Sequence, residues 1–399
     1  MSTEINAVSR RIVTLCVPAL ALLLTACGPL GRSQSVFPDL SAPITAVESG
    51  DLAPPAGASR PKVALILPLT QGGKPSAVGE ALRKAADLAM AETGANDITL
   101  LVKDDASTAD GARVATEAAL AEGAELVIGP LYAPAVQEAG RLAKAAGRPV
   151  IGFSTDASTG SRGVYLLSFL IENYVNRVVD QAVARGKKNF AALAPENDYG
   201  NVAVNALVDY AGKTGLRVQI ERYAPGNPAP AVQKLGANAA KIDALFIAEL
   251  ADNMAQVAPL LSASGIDGKR VQILGTGLWN DARVLSLPAL QGAWFAAPEA
   301  AGFNAFAGRY RAKYNGEPAR IATLAYDAVS LAAALARTQG AQGFSESVLT
   351  NASGFNGIDG VFRFTQDGLN ERGLAVMQIG NGAASVLAPA PKNFAGSGT

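Results

Sequence analysis

Short apolar runs alternate with amphipathic segments along most of the chain from Lys62 onward. Runs such as Val63–Leu67 are too short for buried helices and end at turn residues, which is typical of buried strands. Segments such as Ala77–Glu92 place their apolar residues on one helical face. Because strands alternate with helices, the pattern predicts an α/β fold with parallel sheets covered by helices on both faces.

The alternation runs twice, with a break near residues 165–169, and this predicts two similar lobes. The predicted strands are residues 63–67, 98–102, 126–128 and 149–151 in the first run, and residues 190–193, 216–220, 244–247 and 271–274 in the second. The remainder predicts two helices, at 304–314 and 321–337, and strand-like segments at 361–364 and 374–379. No short motif recurs, which excludes a solenoid.

The first 26 residues are interpreted as a signal peptide. Two arginines precede the apolar run Ile12–Leu24, which as a helix covers about 20 Å and falls short of the ~30 Å hydrocarbon core. Leu24–Cys27 resembles the bacterial lipobox, so Cys27 is the predicted lipidation site; the alternative is an ordinary signal peptide with a chance cysteine. In the lipoprotein sorting rule, Gly28 after the cysteine implies an anchor on the periplasmic face of the outer membrane of a Gram-negative envelope.

Residues 27–61 form a predicted tether, and residues 388–399 a predicted C-terminal tail. The tether is rich in Pro, Ala, Ser and Gly and has neither a helical nor a strand period. Either it lets the folded body work away from the membrane, or it is a spacer that only clears the lipid surface.

The amino-acid composition limits the kinds of catalysis and metal binding that the chain can support. The 399 residues include no histidine and two cysteines, with 34 basic and 34 acidic side chains. Without histidine, Ser-His-Asp and Cys-His catalysis and most zinc sites are excluded. The balanced charge gives no reason to expect a nucleic-acid partner. We therefore predict a non-catalytic protein with no metal and no cofactor.

Several motifs together resemble the type I periplasmic binding proteins of the leucine/isoleucine/valine-binding kind, over roughly Lys62–Leu387. The motifs are VALILPLT (63–70), LVKDDAS (101–107), ELVIGPLYAP (125–134), GRPVIGFSTD (147–156), NDYG (197–200), DALFIAEL (243–250), ILGTGLWND (273–281) and YDAVSLAAALA (326–336). Within this family the chain is most similar to a lipoprotein branch of penicillin-binding protein activators.

The resemblance implies two lobes joined by three crossovers, with a ligand held in the cleft between them. The crossovers are expected near residues 165–170, 274–281 and 360–364. Lobe one would then comprise residues 62–167 and 281–357, and lobe two residues 168–275 and 361–387.

Loops that follow the strands are expected to face the cleft and supply its ligand-binding residues. The candidates are Thr70, Tyr132, Ser154, Thr155, Asp156, Tyr199, Glu249 and Trp279. The alternative is that Ser154 and Asp156 cap turns and that Tyr199 is a packing residue. Asp104 and Asp105 are either paired acid/base carboxylates or, as we favour, charged residues that cap the end of a strand.

Two departures from the family pattern bear on the ligand. Where amino-acid-binding members carry a serine that grips the ligand carboxylate, this chain has Ala133. Where they carry an acidic residue for the ligand ammonium, the loop Gly275–Gly277 has none. An α-ammonium buried there would lack its partner, at a substantial cost, unless Asp252 or Glu249 takes that role.

Two functions remain open from the sequence. The first is a non-catalytic envelope lipoprotein that regulates peptidoglycan synthases, and the alternative is the substrate-binding lipoprotein of an ABC importer for amino acids or related small molecules. The partners would be a membrane, through a lipid on Cys27, and either a synthase or a permease. A histidine-free hydrolase is the third and least supported hypothesis.

Overall fold

The structure, a computed structural model, describes residues 60–94 and 96–394. The predicted signal peptide, Cys27 and nearly all of the predicted tether lie outside the described residues, as do residues 395–399. Within the described ranges, no helix combines the length and the apolar character needed to cross a membrane.

The elements follow the predicted alternation of strands and helices. The strands are β1 (Lys62–Leu67), β2 (Thr70–Gln71), β3 (Lys74–Pro75), β4 (Thr99–Asp104), β5 (Leu126–Ile128), β6 (Val150–Gly152), β7 (Val164–Leu166), β8 (Asn189–Pro195), β9 (Arg217–Tyr223), β10 (Ala244–Ile247), β11 (Gln272–Gly275), β12 (Trp294–Ala297), β13 (Phe355–Gly357), β14 (Gly360–Phe364), β15 (Asn370–Arg372), β16 (Ala375–Gly380) and β17 (Ala383–Ala388). The helices are α1 (Ala77–Ala89), α2 (Ala109–Ala121), α3 (Ala133–Ala145), α4 (Ile171–Ala184), α5 (Asp198–Thr214), α6 (Ala229–Ala237), α7 (Ala251–Ala263), α8 (Ala282–Leu285), α9 (Ala300–Tyr314), α10 (Ala322–Gln339) and α11 (Glu346–Leu349).

Side-chain caps fix the start of several helices at the residues where the strand-to-helix loops end. Ser76 accepts a hydrogen bond from the Gly79 backbone N–H at the start of α1, and Asn197 accepts one from the Gly200 N–H at the start of α5. Each cap satisfies one of the backbone donors that a helix leaves open at its first turn. The loops that lead into α1 and α5 are therefore held in place by their own sequence.

Lobe one is built on a five-stranded sheet in the order β4-β1-β5-β6-β7. All of its strand pairs are parallel, as predicted. Tyr314 at the end of α9 donates a hydrogen bond to the Lys84 carbonyl of α1, and α10 also packs on α1. The two later helices therefore belong to this lobe although they are far along the chain.

Lobe two is built on a seven-stranded sheet in the order β17-β16-β12-β11-β10-β8-β9. The strands from β9 to β12 are parallel to their neighbours, whereas β16 and β17 are antiparallel additions at one edge. The fold thus has two α/β lobes, each with a parallel sheet and flanking helices.

The second sheet is buried on both faces, as the apolar character of its strands predicts. Along β8, Phe190 and Ala192 face one hydrophobic cluster, which includes residues of α4 and α5. Ala191 and Leu193 face the other cluster, which includes residues of α6 and α7. Because side chains alternate along a strand, this division shows helices covering both sides of the sheet.

The predicted lobe boundaries need two corrections. Residues 281–297 were expected in lobe one, but β12 pairs with β11 and β16 and lies inside the second sheet, so the chain returns to lobe one between β12 and α9. Residues 361–374 were expected in lobe two, but β14 and β15 form a separate antiparallel sheet with β13. β17 runs to Ala388, one residue into the predicted tail.

The first crossover lies where it was predicted, between β7 and α4. The second was predicted at residues 274–281, but it lies between β12 and α9, because β12 still pairs within the second sheet. The third passes through the small sheet β13-β14-β15, which we call the hinge sheet. The Asn370 side chain of this sheet donates to the Ser168 carbonyl of the first crossover at 2.9 Å, so the two crossovers are bonded side by side.

Candidate functional site

The loops that carry the predicted site residues lie at the carboxyl ends of parallel strands. In lobe one they follow β1, β5 and β6, and in lobe two they follow β8, β10 and β11. Parallel strands end at one edge of a sheet, which is where open α/β sheets bind ligands. The candidate site is therefore formed by these two strand edges, one in each lobe.

Thr70 is bonded to Asp104 at the end of the neighbouring strand. Its hydroxyl donates to Asp104 Oδ2 at 2.6 Å, and its backbone N–H donates to Oδ1 at 3.1 Å. The backbone N–H groups of Leu69 and Ala106 also donate to Oδ1. Burial alone would raise the pKa of Asp104, but these hydrogen bonds lower it below its usual value. The favoured interpretation of Asp104 as a capping residue agrees with these contacts.

Asp105 points into the protein and is fully buried. Its Oδ1 accepts a hydrogen bond from the Ser107 N–H at 2.7 Å, and Oδ2 has no partner among the described residues. Burial raises the pKa of Asp105 to about 6. The two neighbouring carboxylates therefore sit in different environments and do not form a matched acid/base pair at the strand edge.

The loop after β6 is folded around its own polar side chains. Ser154 Oγ accepts from the Asp156 N–H at 3.0 Å, and Asp156 Oδ1 accepts from the Ser158 N–H and hydroxyl at 3.0 and 2.7 Å. Ser154 and Asp156 thus act as turn caps, the alternative that the sequence had left open. Thr155 and Tyr132, by contrast, are exposed, with Tyr132 at 37%.

Gly129 fixes the loop that carries Tyr132. Its φ is +84°, and a Cβ at this position would lie 2.0 Å from the Ile66 carbonyl oxygen of β1. Only glycine meets both conditions, so the chain can pass close to β1 before α3 begins.

In lobe two, Tyr199 is bonded to the loop after β11. Its hydroxyl and that of Thr276 are 2.7 Å apart and share a hydrogen bond. Burial is the largest cause of the raised pKa of Tyr199, so this phenol stays neutral. The side chain therefore holds the loops after β8 and β11 together. Thr276, fully buried, was not among the predicted site residues.

Glu249 is buried, and its carboxylate is fully engaged within lobe two. It accepts hydrogen bonds from the Tyr223 hydroxyl, from the Leu250 N–H at 2.7 Å and from Asn253 Nδ2 at 3.0 Å. The first of these contacts raises the pKa of Tyr223, in addition to the larger effect of burial. Glu249 therefore has little acceptor capacity left for a ligand ammonium. Nothing in the local sequence signals the Tyr223 contact, because Tyr223 ends a different strand.

Trp279 is a core residue, contrary to the expectation that it lines the cleft. Its ring has no exposed surface and packs in a hydrophobic cluster of lobe two. Its Nε1 donates to the Glu249 carbonyl at 3.0 Å. The same loop instead exposes Leu278, at 43%, and the loop after β10 exposes Leu250, at 36%. These two apolar side chains were not among the predicted site residues.

The exposed side chains on these loops include apolar Leu250 and Leu278, aromatic Tyr132, the Thr155 hydroxyl and the Asp156 carboxylate. Among residues 60–94 and 96–394, no group of three or more acidic or cysteine side chains is arranged to hold a metal ion. The loop Gly275–Gly277 carries no carboxylate, as the sequence indicates. Such an arrangement can enclose a small molecule by backbone groups, hydroxyls and apolar surface.

Two α/β lobes linked by three crossovers, with strand edges that carry the candidate loops, are the architecture of a two-lobed binding protein. A family model described as "Periplasmic binding protein" matches residues 61–384, so the chain belongs to this family. No curated protein sequence matches the chain.

Solved structures show the same fold at low sequence identity. A putative branched-chain amino acid ABC transporter protein from Rhodospirillum rubrum is 20% identical with a TM-score of 0.71, over 82% of this chain and 100% of that one. The leucine-binding protein LivK from Thermotoga maritima is 21% identical with a TM-score of 0.54, over 83% and 98%. A solute-binding protein from Rhodopseudomonas palustris, in complex with 3,4-dihydroxybenzoic acid, is 20% identical with a TM-score of 0.56, over 84% and 98%.

Proposed function

We propose that this protein is the solute receptor of an ABC importer and captures a small molecule between its two lobes. The observation that carries the proposal is the pair of strand edges in a two-lobed fold of the periplasmic binding protein family. Solved structures of ABC transporter proteins with this fold support it. In this mechanism the ligand binds the closed form best and shifts the population of lobe positions toward closure, and the closed form docks on the permease.

The ligand differs from an α-amino acid in this proposal. The ammonium of an amino acid needs a carboxylate partner. Gly275–Gly277 lacks one, Glu249 accepts from three donors, and Asp252 is paired with Arg283. Leu250, Leu278 and Tyr132 offer exposed apolar surface at the strand edges. A small molecule with an apolar body and without an ammonium group matches these side chains better.

A thermal-shift panel on the full chain tests the proposal, with L-leucine, 3,4-dihydroxybenzoate and a muropeptide as probes. A ligand present at 100 times its Kd stabilises the folded state by about 2.7 kcal/mol. We expect a shift with a probe that lacks an ammonium group, and a smaller shift in Leu278→Asp. Val114→Asp, on exposed α2 away from the strand edges, is the matched control and keeps the full shift. No shift with any small molecule would refute the receptor function.

The second candidate function is regulation of peptidoglycan synthases by an outer-membrane lipoprotein anchored at Cys27. It is favoured by the lipobox with Gly28 and by a cleft whose polar candidates are bonded within their own lobes. Here the two-lobed body contacts a synthase and performs no chemistry. The test is co-purification with a bifunctional penicillin-binding protein and faster glycan polymerisation or crosslinking on addition of the full chain. Absence of both binding and stimulation would refute it.

A further inference from the structure

A cluster of buried charges lies where the hinge sheet meets the first crossover and α10. Its members are Arg320 before α10, Asp327 on α10, Asp359 in the turn between β13 and β14, and Arg372 on β15. Asp327, Asp359 and Arg372 are almost completely buried. Burying a charge costs free energy unless the charge is paired and hydrogen-bonded. The partners of each charge in this cluster therefore show which charges are stabilised.

One ion pair in the cluster is complete. Arg320 donates from both terminal nitrogens to the two oxygens of Asp359, with Nη1 2.9 Å from Oδ2. The Thr323 hydroxyl donates to the same Oδ2 at 2.7 Å. The bidentate ion pair and the Thr323 hydroxyl together satisfy the Asp359 carboxylate.

The other two charges are close enough to influence each other but are not bonded to each other. Arg372 Nε donates to the Ser168 carbonyl at 2.9 Å, whereas Nη1 and Nη2 have no partner among the described residues. Asp327 Oδ1 accepts from the Ile358 N–H at 2.9 Å, whereas Oδ2 also has no partner in this part of the chain. The Arg372 guanidinium is covered by the Phe169 ring, 4.7 Å away, and by the Phe362 ring. Two buried side chains of opposite charge thus each carry polar atoms without a partner among the described residues.

These side chains connect the parts that must move when the lobes rotate. Phe169 of the first crossover lies against both Arg320 and Arg372, at 4.9 and 4.7 Å. Asn173, in the first turn of α4 in lobe two, donates to the Asn370 carbonyl of the hinge sheet at 3.0 Å. Asp327 is part of α10, which packs in lobe one. A small displacement of the hinge sheet against α10 therefore changes the separation of Asp327 and Arg372.

We propose that this cluster is a proton-dependent hinge lock, in which Asp327 closes onto Arg372 when ionised and releases it when protonated. The inference concerns regulation of the cleft movement and rests on the proposed binding function for its biological use. Closing the pair gives Asp327 Oδ2 and the Arg372 terminal nitrogens the partners that they lack here.

The charges around Asp327 support proton binding near neutral pH. Burial is the largest cause that raises the pKa of Asp327, to about 7, and the neighbouring Asp359 raises it further, while the Ile358 N–H, Arg372 and Arg320 lower it. Tyr174 of α4 and Asp359 face Arg372 in turn. Contact with Arg372 lowers the pKa of Asp327, so raising the pH favours the closed pair. If the pKa of Asp327 differs by one unit between the open and the closed pair, the ratio of the two populations changes tenfold as the pH passes through the titration.

Pulsed EPR on the full chain without ligand tests the lock. Both native cysteines are replaced by serine, and spin labels are placed at Val114→Cys in lobe one and Val208→Cys in lobe two, which are both exposed. Between pH 5.5 and 8.5 we expect the distance distribution to shift with a midpoint near 7. Asp327→Asn abolishes the shift, whereas Asp367→Asn, an exposed residue in the turn between β14 and β15 of the hinge sheet, leaves it unchanged.

A second variant keeps the test decisive if Asp327→Asn does not fold. Arg372→Gln removes the group onto which ionised Asp327 closes, so the pH-dependent distance shift is lost in this variant as well. A distance distribution of the unsubstituted protein that does not change with pH, or an unaltered response in Asp327→Asn, would overturn the lock. Neither result tests ligand binding, because no ligand is present in the measurement. The thermal-shift panel tests the proposed receptor function separately.

Discussion

Trp279 tests whether the loop after β11 is fixed by packing or left open for a ligand. The ring is fully buried, and its Nε1 donates to the Glu249 carbonyl at 3.0 Å. Truncating a buried tryptophan to alanine costs about 3–5 kcal/mol, and a buried carbonyl left without its donor costs about 1–3 kcal/mol. We therefore expect Trp279→Ala to lower the free energy of unfolding by at least about 4 kcal/mol, and Trp279→Phe by about 1–3 kcal/mol.

Urea unfolding followed by far-UV circular dichroism measures these differences. In both variants Trp294 of β12 is the one remaining tryptophan, so its fluorescence reports the unfolding of lobe two. Leu278→Ala is the matched control: the side chain next to Trp279 is 43% exposed, and its loss is expected to cost about 0.5 kcal/mol or less. If the free energy of unfolding of Trp279→Ala lies within about 1 kcal/mol of that of the unsubstituted protein, the inferred packing of Trp279 is wrong.

Three further predictions concern other parts of the chain. Gly275→Ala places a Cβ 2.3 Å from the Trp279 ring, so its thermal unfolding midpoint should fall well below that of Gly380→Ala, where no atom lies within 4 Å; equal midpoints would contradict the close packing. Burial raises the pKa of Asp105 to about 6, so the folded state holds this proton more tightly than the unfolded state and stability is lost as the pH rises from about 4 through 6. Asp105→Asn should remove that loss in thermal scans across this pH range, and an unchanged pH profile would count against it. Cys27→Ser should abolish the incorporation of labelled fatty acid into the protein, and labelling that persists would exclude lipidation at Cys27.

The order of strands and helices could be predicted because each element carries its own pattern. The predicted 126–128 and 244–247 strands coincide with β5 and β10. β12, at Trp294–Ala297, was not predicted. Its place in the second sheet is set by pairing with β11 and with the much later β16. A local pattern does not contain such pairings.

The candidate site could be predicted only as a set of loops. Parallel strands place their carboxyl ends together, so the sequence led to the loops of Thr70 and Glu249. Whether a polar side chain is available or already bonded depends on partners from distant strands, such as Asp104 for Thr70 and Tyr223 for Glu249.

No local sequence pattern predicts the hinge lock, because its residues come from distant parts of the chain. Asp327, Asp359 and Arg372 lie on three separate elements, and each is an ordinary charged residue in its own segment. Their meeting is a consequence of the way in which the hinge sheet packs on α10.

The central claim is that the two lobes enclose a small molecule. Native mass spectrometry of the full chain, purified from its own cell envelope without added ligand, tests this claim most directly. The account predicts one small-molecule adduct per chain, which is lost on denaturation and whose chemical formula lacks an α-amino acid group. Protein without any adduct, recovered in stoichiometric complex with a penicillin-binding protein, would contradict it.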